Sequence, residues 1–454
     1  MAASRTDRTR REAQRRVSHR PHARSPNDGE TRLQTRPSAR RGASGDSPGY
    51  GALPGAPSTA GDGQRREGLR LSGVLGRVVH TAPFFIAVLL GAVVHHRLPL
   101  RFAPTFFSAL SAALLLSVDA PGFVAVLVAG ALVYFLAPLR RPVPLLIAGL
   151  LIHLAAYKYL PVFLGLKTTL PLGLSFYSFK LIHYAIERGR GTLRPTTLPV
   201  FCTWLLSFPT FTAGPIERFD HFEKHRQVRA TRDDVVEGLT RMIHGLVKKF
   251  VIVGLILSEL SLDASGKWLI THADTAPVFA VWRFASCSLI HTWIEFSAYC
   301  DLAIGASLLF GLRVAENFNW PIFAPNITVF WKRWHMTLAA FCQAYVYMPM
   351  MGLTRSPYAA VFATFLATGL WHSGSLNYLL WGLWHGLGVA VFLTWQRTKR
   401  VRGWKRWNHK ALVPLGTFIT FSFVSAGALL ASTSEAGRPL DSLRLMLRFV
   451  GVAW

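Results

Sequence analysis

The chain has 454 residues, 51% of them hydrophobic, and carries a formal net charge of +27. Long apolar stretches such as AVLVAGALVYFL (125–136) have no polar face to offer water, which excludes an ordinary soluble helical protein. The positive charge gathers in short loops between such stretches (Arg140–Arg141, Arg188–Arg190, Arg397–Arg406), as in a membrane protein facing anionic lipid; a nucleic-acid partner is not expected.

Residues 1–70 are rich in Arg, Ser, Pro and Gly, lack a periodic apolar face, and read as a disordered basic tail. The run RTRREAQRR within it sits in too long and Pro-broken a context for an export signal, and is only weakly amphipathic. From 71 to 454 the chain reads as one all-α, polytopic membrane domain. About eleven segments are long and apolar enough to cross a hydrocarbon core of roughly 30 Å. They are 78–96, 102–118, 121–138, 142–163, 171–187, 197–213, 236–262, 277–311, 327–350, 356–395 (two passes) and 411–432. The expected location is the cell (inner or plasma) membrane, with lipid as the constant partner. Cys202, Cys287, Cys300 and Cys342 fall in or beside spans without C-x-x-C spacing, so neither a disulfide framework nor a metal site is indicated. No nucleotide-binding, zinc-protease or serine-hydrolase motif is present, and no internal repeat of the kind common in transporters.

Ionisable residues inside such spans are costly and invite a functional explanation. The connection 217–235 reads as a surface loop, and PTFTAGPIERFDHF (209–222), with Glu217 and Arg218, as a shaped connector. Glu295 and Asp301 lie in or beside a span, where pairing with a cation of a neighbouring helix is the simplest role. Segment 312–327, with Pro321, Pro325, Asn317, Asn319 and Asn326, is too polar and kinked to span lipid and reads as re-entrant or interfacial. It leads into FWKRWHMTL (330–338), where helical spacing puts Trp331, Lys332 and His335 on one face. An interfacial belt accounts for Trp331, Lys332, Arg333 and Trp334 but not for His335. In 368–388, His372 and His385 are the only ionisable groups; Ser373–Asn377 is expected to interrupt the helix, with Tyr378, Trp381 and His385 on one face and Gly382 and Gly386 admitting a close neighbour. Burial alone makes such a histidine a satisfied core residue.

In series, LPLGLSFYSFK (170–180), FPTFTAGPIERF (208–219), GLVKKFVI (245–252), FSAYCDLAIGASLLFG (296–311), ENFNWPIFAPNITVFWKRWHMTL (316–338), TGLWHS (368–373) and LLWGLWHG (379–386) resemble successive blocks of the membrane-bound O-acyltransferase family. The resemblance is to its bacterial branch of alginate O-acetylation and teichoic acid D-alanylation proteins. It implies a helical ring around a central tunnel, where a thioester donor, acyl-CoA or an acyl carrier protein, serves as co-substrate with no resident cofactor or metal. The implied acceptor is a hydroxyl of a glycan, with a small metabolite or lipid as the alternative. His385 matches the family's catalytic histidine and His335 its second one, while Trp331, Lys332, Asn319, Trp381 and His372 are expected to support them. Gln343-Ala344-Tyr345 departs from an Arg-Asp-Tyr of many bacterial members, which implies altered acceptor or partner contacts. Imidazole, with an ordinary pKa of about 6.5, suits deprotonation of an attacking hydroxyl. His385 is therefore expected to be the general base, His335 to orient the acceptor or stabilise the carbonyl oxygen, and His372 to be structural. The rival from another class is a transporter of an anionic or acylated substrate, using Lys332, Arg333, Asp301 and segment 312–327 as its path.

Overall fold

Proline sets where many of the helices begin. Pro83, Pro104 and Pro121 sit in the first turns of α1 (Ala82–Arg97), α2 (Ala103–Val118) and α3 (Ala120–Leu136), where the missing N–H has no helical partner to lose. The computed structural model describes residues 81–164, 170–226, 229–257, 262–404, 412–434 and 439–452, all within the unit Gly63–Trp454; the tail expected at 1–70 lies outside them. Asp119 caps α3, accepting from the Gly122 N–H at 3.0 Å and from the Leu172 N–H at 2.7 Å, so the α3 start is tied to the chain entering α5.

The chain continues through α4 (Val143–Leu164), α5 (Leu174–Arg190), α6 (Leu198–Leu205), α7 (Phe208–Phe211), α8 (Phe219–His225) and α9 (Arg232–Leu246), which runs on as a π-helix over Val247–Leu257. Then follow α10 (Leu262–Thr271), the 31-residue α11 (Val278–Leu308), α12 (Ile327–Arg333), α13 (Met336–Cys342), a π turn at Gln343–Tyr347, and α14 (Met348–Thr354). The last elements are α15 (Pro357–His372), α16 (Leu376–Val401), α17 (Leu412–Ser432) and α18 (Pro439–Phe449). Among the described residues the fold is all-α, apart from one isolated antiparallel bridge between Arg226 and Leu312.

Among the described residues, four helices are by length and composition able to cross a membrane: Ala120–Leu139, Val143–Pro161, Leu376–Val401 and Leu412–Ser432, with α1 and α2 as shorter apolar helices. Their outward surfaces are apolar, Leu145 at 76% and Ile152 at 68% exposure, as lipid rather than water requires. The long α11 is the pillar, nearly continuously buried from Ser297 to Leu308. Its Asp301 accepts from Arg241 of α9 and from Lys248, both at 2.6 Å, and its Glu295 pairs with Lys249. The pairing read from the sequence thus links α9 and its π extension to the pillar, beside close packing at Gly238, Gly245 and Gly305. Helices α15 and α16 pack antiparallel at the glycines singled out above. A Cβ on Gly382 would lie 2.6 Å from the Phe365 carbonyl oxygen, and one on Gly386 2.8 Å from the Phe362 ring.

Three drawn spans differ in the structure, and two helices were not drawn. The span drawn at 197–213 is two short helices, because the chain turns at Leu206–Ser207 and Pro209 restarts it. The span drawn at 327–350 breaks at Trp334–His335, where His335 takes a left-handed φ of 43°. The span drawn at 236–262 changes from α to π winding at Val247. Finally, α10 and the amphipathic α18 escaped the apolar-run reading. Helix α18 buries Leu445 and Phe449, and Trp282 stacks on Phe449 at 4.2 Å.

Candidate active site

A cavity of about 730 Å³ opens between α11, the α12–α13 break, α15, α16 and α17, walled by Phe296, Phe330, Trp334, Val361, Phe365 and Val389. His335, His372, His385, Trp331, Lys332 and Trp381 all line it. Six of the seven residues expected to form or support the site therefore meet at one place, although three sequence segments supply them. The seventh, Asn319, is not on this wall; it acts through its backbone, its N–H donating to the Arg333 carbonyl at 2.9 Å.

The helix break explains how His335 reaches the cavity. Trp331, Lys332 and His335 do not share one helical face as the spacing suggested, since the helix ends at Arg333. The left-handed His335 is instead held by a short ladder to the 312–327 segment. Asn319 N–H donates to Arg333 O, and Met336 N–H to Asn317 O, each at 2.9 Å. A left-handed conformation at a non-glycine residue costs on the order of 1 kcal/mol and persists where the surroundings over-determine it.

Asn317, fully buried, is the centre of that over-determination. Its Oδ1 accepts from the Thr337 N–H at 3.3 Å, from the Thr337 hydroxyl at 3.0 Å and from His335 Nδ1 at 3.0 Å. Its Nδ2 donates to Cys300 Sγ at 3.3 Å and to the Gly214 carbonyl at 3.5 Å. The Thr337 backbone donor identifies Oδ1 as the amide oxygen, so His335 Nδ1 carries the hydrogen. Nε2 is then the lone-pair nitrogen, and it is buried without a hydrogen-bond partner among the described residues. Asn317 is the residue that sequence reasoning missed; the polar, kinked character of 312–327 marked the segment but not which of its three asparagines turns inward.

His385 sits in an aromatic box. Trp381 lies 4.6 Å and Trp331 5.0 Å from its ring, with Phe423 at 5.9 Å and Phe365 stacked at 6.1 Å. It is 1% exposed, and its Nδ1 has no hydrogen-bond partner among the described residues. Gly427 of α17 makes the room: a Cβ there would lie 2.8 Å from His385 Nε2. His372 ends α15, in ring contact with Trp371 at 4.4 Å, Tyr378 at 5.3 Å and Trp381 at 5.5 Å, while Trp371 also lies 6.4 Å from His335. The three histidines are thus linked through Trp371 and Trp381. The loop expected between His372 and Asn377 is present as Ser373–Ser375, and Asn377 anchors α16 to Leu430 O and to Ser442 of α18.

Lys332 lies on the cavity wall but Asp301 does not, being committed to its ion pairs, so the conduction path considered from the sequence is not assembled. Gln343 of the departing tripeptide lines the cavity. Tyr345 turns the other way, its hydroxyl donating to Glu187 at 3.0 Å and accepting from His183 Nδ1 at 2.7 Å. Among the described residues no three His, Cys, Asp or Glu side chains gather to hold a metal ion.

Residues 151–430 match the sequence profile of MBOAT, the membrane-bound O-acyltransferase family. The chain is similar to the probable alginate O-acetylase AlgI of Pseudomonas aeruginosa, 35% identical over 263 residues, which is 57% of this chain and 48% of that one. It is 28% identical over 287 residues to the teichoic acid D-alanyltransferase of Streptococcus thermophilus (58% and 68% of the two chains). It is 27% identical over 322 residues to the peptidoglycan O-acetyltransferase of Helicobacter pylori (63% and 59%). The chain spans about half the length of the alginate O-acetylases it matches. With the profile match covering well over half of it, and with the two motif histidines on one cavity among apolar helices, this integral membrane protein belongs to the membrane-bound O-acyltransferase family.

Proposed function

We propose that this protein is a membrane O-acyltransferase that moves a small acyl group from a thioester donor, acyl-CoA or an acyl carrier protein, to a hydroxyl of a glycan. The observation that carries the reading is the convergence of His335 and His385, from separate motifs, on one largely apolar cavity. The relatives named for alginate, teichoic acid and peptidoglycan favour a cell-envelope glycan as the acceptor.

In the reaction the acceptor hydroxyl gives its proton to an imidazole nitrogen as its oxygen bonds to the thioester carbon. The C–S bond then breaks, and the departing thiolate recovers the proton from the imidazolium. Apolar walls keep out the water that would hydrolyse the thioester. The resemblance marks His385 as the catalytic histidine, expected to take the proton, with His335 to orient the acceptor or stabilise the carbonyl oxygen. One observation favours a second assignment. With Nδ1–H committed to Asn317, neutral His335 offers Nε2 only as an acceptor, which suits it to take the hydroxyl's hydrogen bond and not to donate to a carbonyl oxygen.

The test is transfer from a radiolabelled acyl thioester to glycan in membranes holding His385→Ala or His335→Ala protein. Both variants should insert normally and transfer at least about 10²-fold more slowly, the scale of a lost general base. Rescue of one of them by added imidazole would identify the base. A His385→Ala protein active at the parental rate would overturn the proposal.

A further inference from the structure

A second cavity, of about 370 Å³, shares no lining residue with the first. It lies where α1 ends and α2 begins, and α8 and the chain leaving α11 complete it. Its interior is aromatic, from Phe107, Phe222 and Phe310, and its rim carries Arg101 and Arg226, both exposed. No carboxylate among the described residues lines it. His95 also lines it, 4% exposed, with its Nδ1 lacking a hydrogen-bond partner among the described residues. Ala103 and Pro104, the first turn of α2, form part of the wall, and that turn holds no acidic residue to neutralise the positive end of its helix.

An apolar interior, a cationic rim, a helix N-terminus and a buried imidazole with one unpartnered nitrogen together describe a receptor for an anionic amphiphile. The location supplies the source. The last turn of α1 holds His95, His96 and Arg97, and Arg101 follows in the connection to α2. Basic loops of this kind face the leaflet that carries anionic lipid. A volume near 370 Å³ is at the small end of the roughly 300–1,000 Å³ of small-molecule sites, enough for a headgroup region and the start of an acyl chain but not a whole lipid.

We propose that this cavity holds one anionic phospholipid, its phosphate between Arg101, Arg226 and the first turn of α2, and its proximal acyl chain against Phe107, Phe222 and Phe310. The site is separate from the acyl-transfer cavity and stands whether or not that reaction is the one described above.

The experiment uses the full-length protein in a neutral detergent, titrated with phosphatidylglycerol, with phosphatidylcholine of the same chains, and with inorganic phosphate, followed by native mass spectrometry. Phosphatidylglycerol should bind about tenfold or more tightly than phosphatidylcholine, and inorganic phosphate alone should not compete at lipid concentrations. Arg101→Gln with Arg226→Gln should erase that preference, and both side chains are exposed enough for the variant to fold. A photoactivatable phosphatidylglycerol added to the unaltered protein should label peptides from 95–107 or 222–226. Equal binding of the two lipids, full competition by phosphate, unchanged preference in the double variant, or labelling only elsewhere would each overturn the proposal.

Discussion

Replacing Asn317 by alanine tests whether the 312–327 segment positions the chemistry. The change removes one oxygen that accepts three hydrogen bonds and one amide nitrogen that makes two. The Thr337 hydroxyl is free to turn elsewhere, and it still accepts from the Ile216 N–H at 2.9 Å. Two donors, the Thr337 N–H and His335 Nδ1–H, are left buried without a partner at about 1–3 kcal/mol each, so a stability loss of roughly 2–6 kcal/mol is expected. The catalytic effect is separable from that loss. Without Asn317 the His335 ring is free to turn and to exchange tautomers, and a displacement on the order of 1 Å slows transfer by about 10²-fold, or ~2.7 kcal/mol in the barrier. The assay is transfer from labelled acyl thioester, with kcat and KM measured on protein whose folding has been checked by thermal unfolding in detergent. Asn317→Ala, His335→Ala and the double variant complete a cycle. If Asn317 acts through His335, its substitution costs nothing further once His335 is gone. Parental activity in Asn317→Ala, or additive losses in the double variant, would refute the positioning argument.

Gly427→Ala should misplace the His385 imidazole, since the new Cβ would stand 2.8 Å from Nε2; kcat should fall with little change in KM, and Gly149→Ala, which meets nothing within 4 Å, is the control. Asp301→Ala leaves Arg241 only its pair with Glu316 and removes the carboxylate that Lys248 meets, and as both cations are partly exposed the cost should be near the low end for a broken buried pair, about 3 kcal/mol, read as a lowered unfolding temperature. On α8, the hydrogen bond that His221 Nδ1–H donates to the Glu217 carboxylate raises the imidazole above its ordinary value, against the opposing effect of burial. A raised imidazole contributes stability that is fully present below the unfolded pKa of about 6.5 and is lost as pH rises through the folded value. Unfolding temperature should therefore drop between pH 6 and 8, and drop less in His221→Gln; identical profiles would show that the pair contributes nothing.

The membrane class, the all-α fold and the two motif histidines follow from the sequence because each rests on local information. Apolar length reports a membrane setting even where it misplaces individual helices, as at 197–213 and 327–350, and the ordered motif blocks report the family without any contact being known. Carboxylate pairing was also within reach, since Glu295 and Asp301 in lipid have few alternatives to a cation, and the glycines 382 and 386 spaced by four on α16 announced a close neighbour. Tertiary structure alone decided the rest. Asn317, Asn319 and Asn326 are equivalent to a pattern reader, and only the three-dimensional path of 312–327 turns Asn317 onto His335 while Asn319 contributes its backbone. The break at Trp334–His335 was hidden because residues 330–338 hold neither glycine nor proline; contacts distant in sequence, not local propensity, hold His335 left-handed. Likewise no spacing rule joins His335 to His385. They share a cavity because α15 and α16 close against the α12–α13 break, a consequence of packing that exists only once the helices have met.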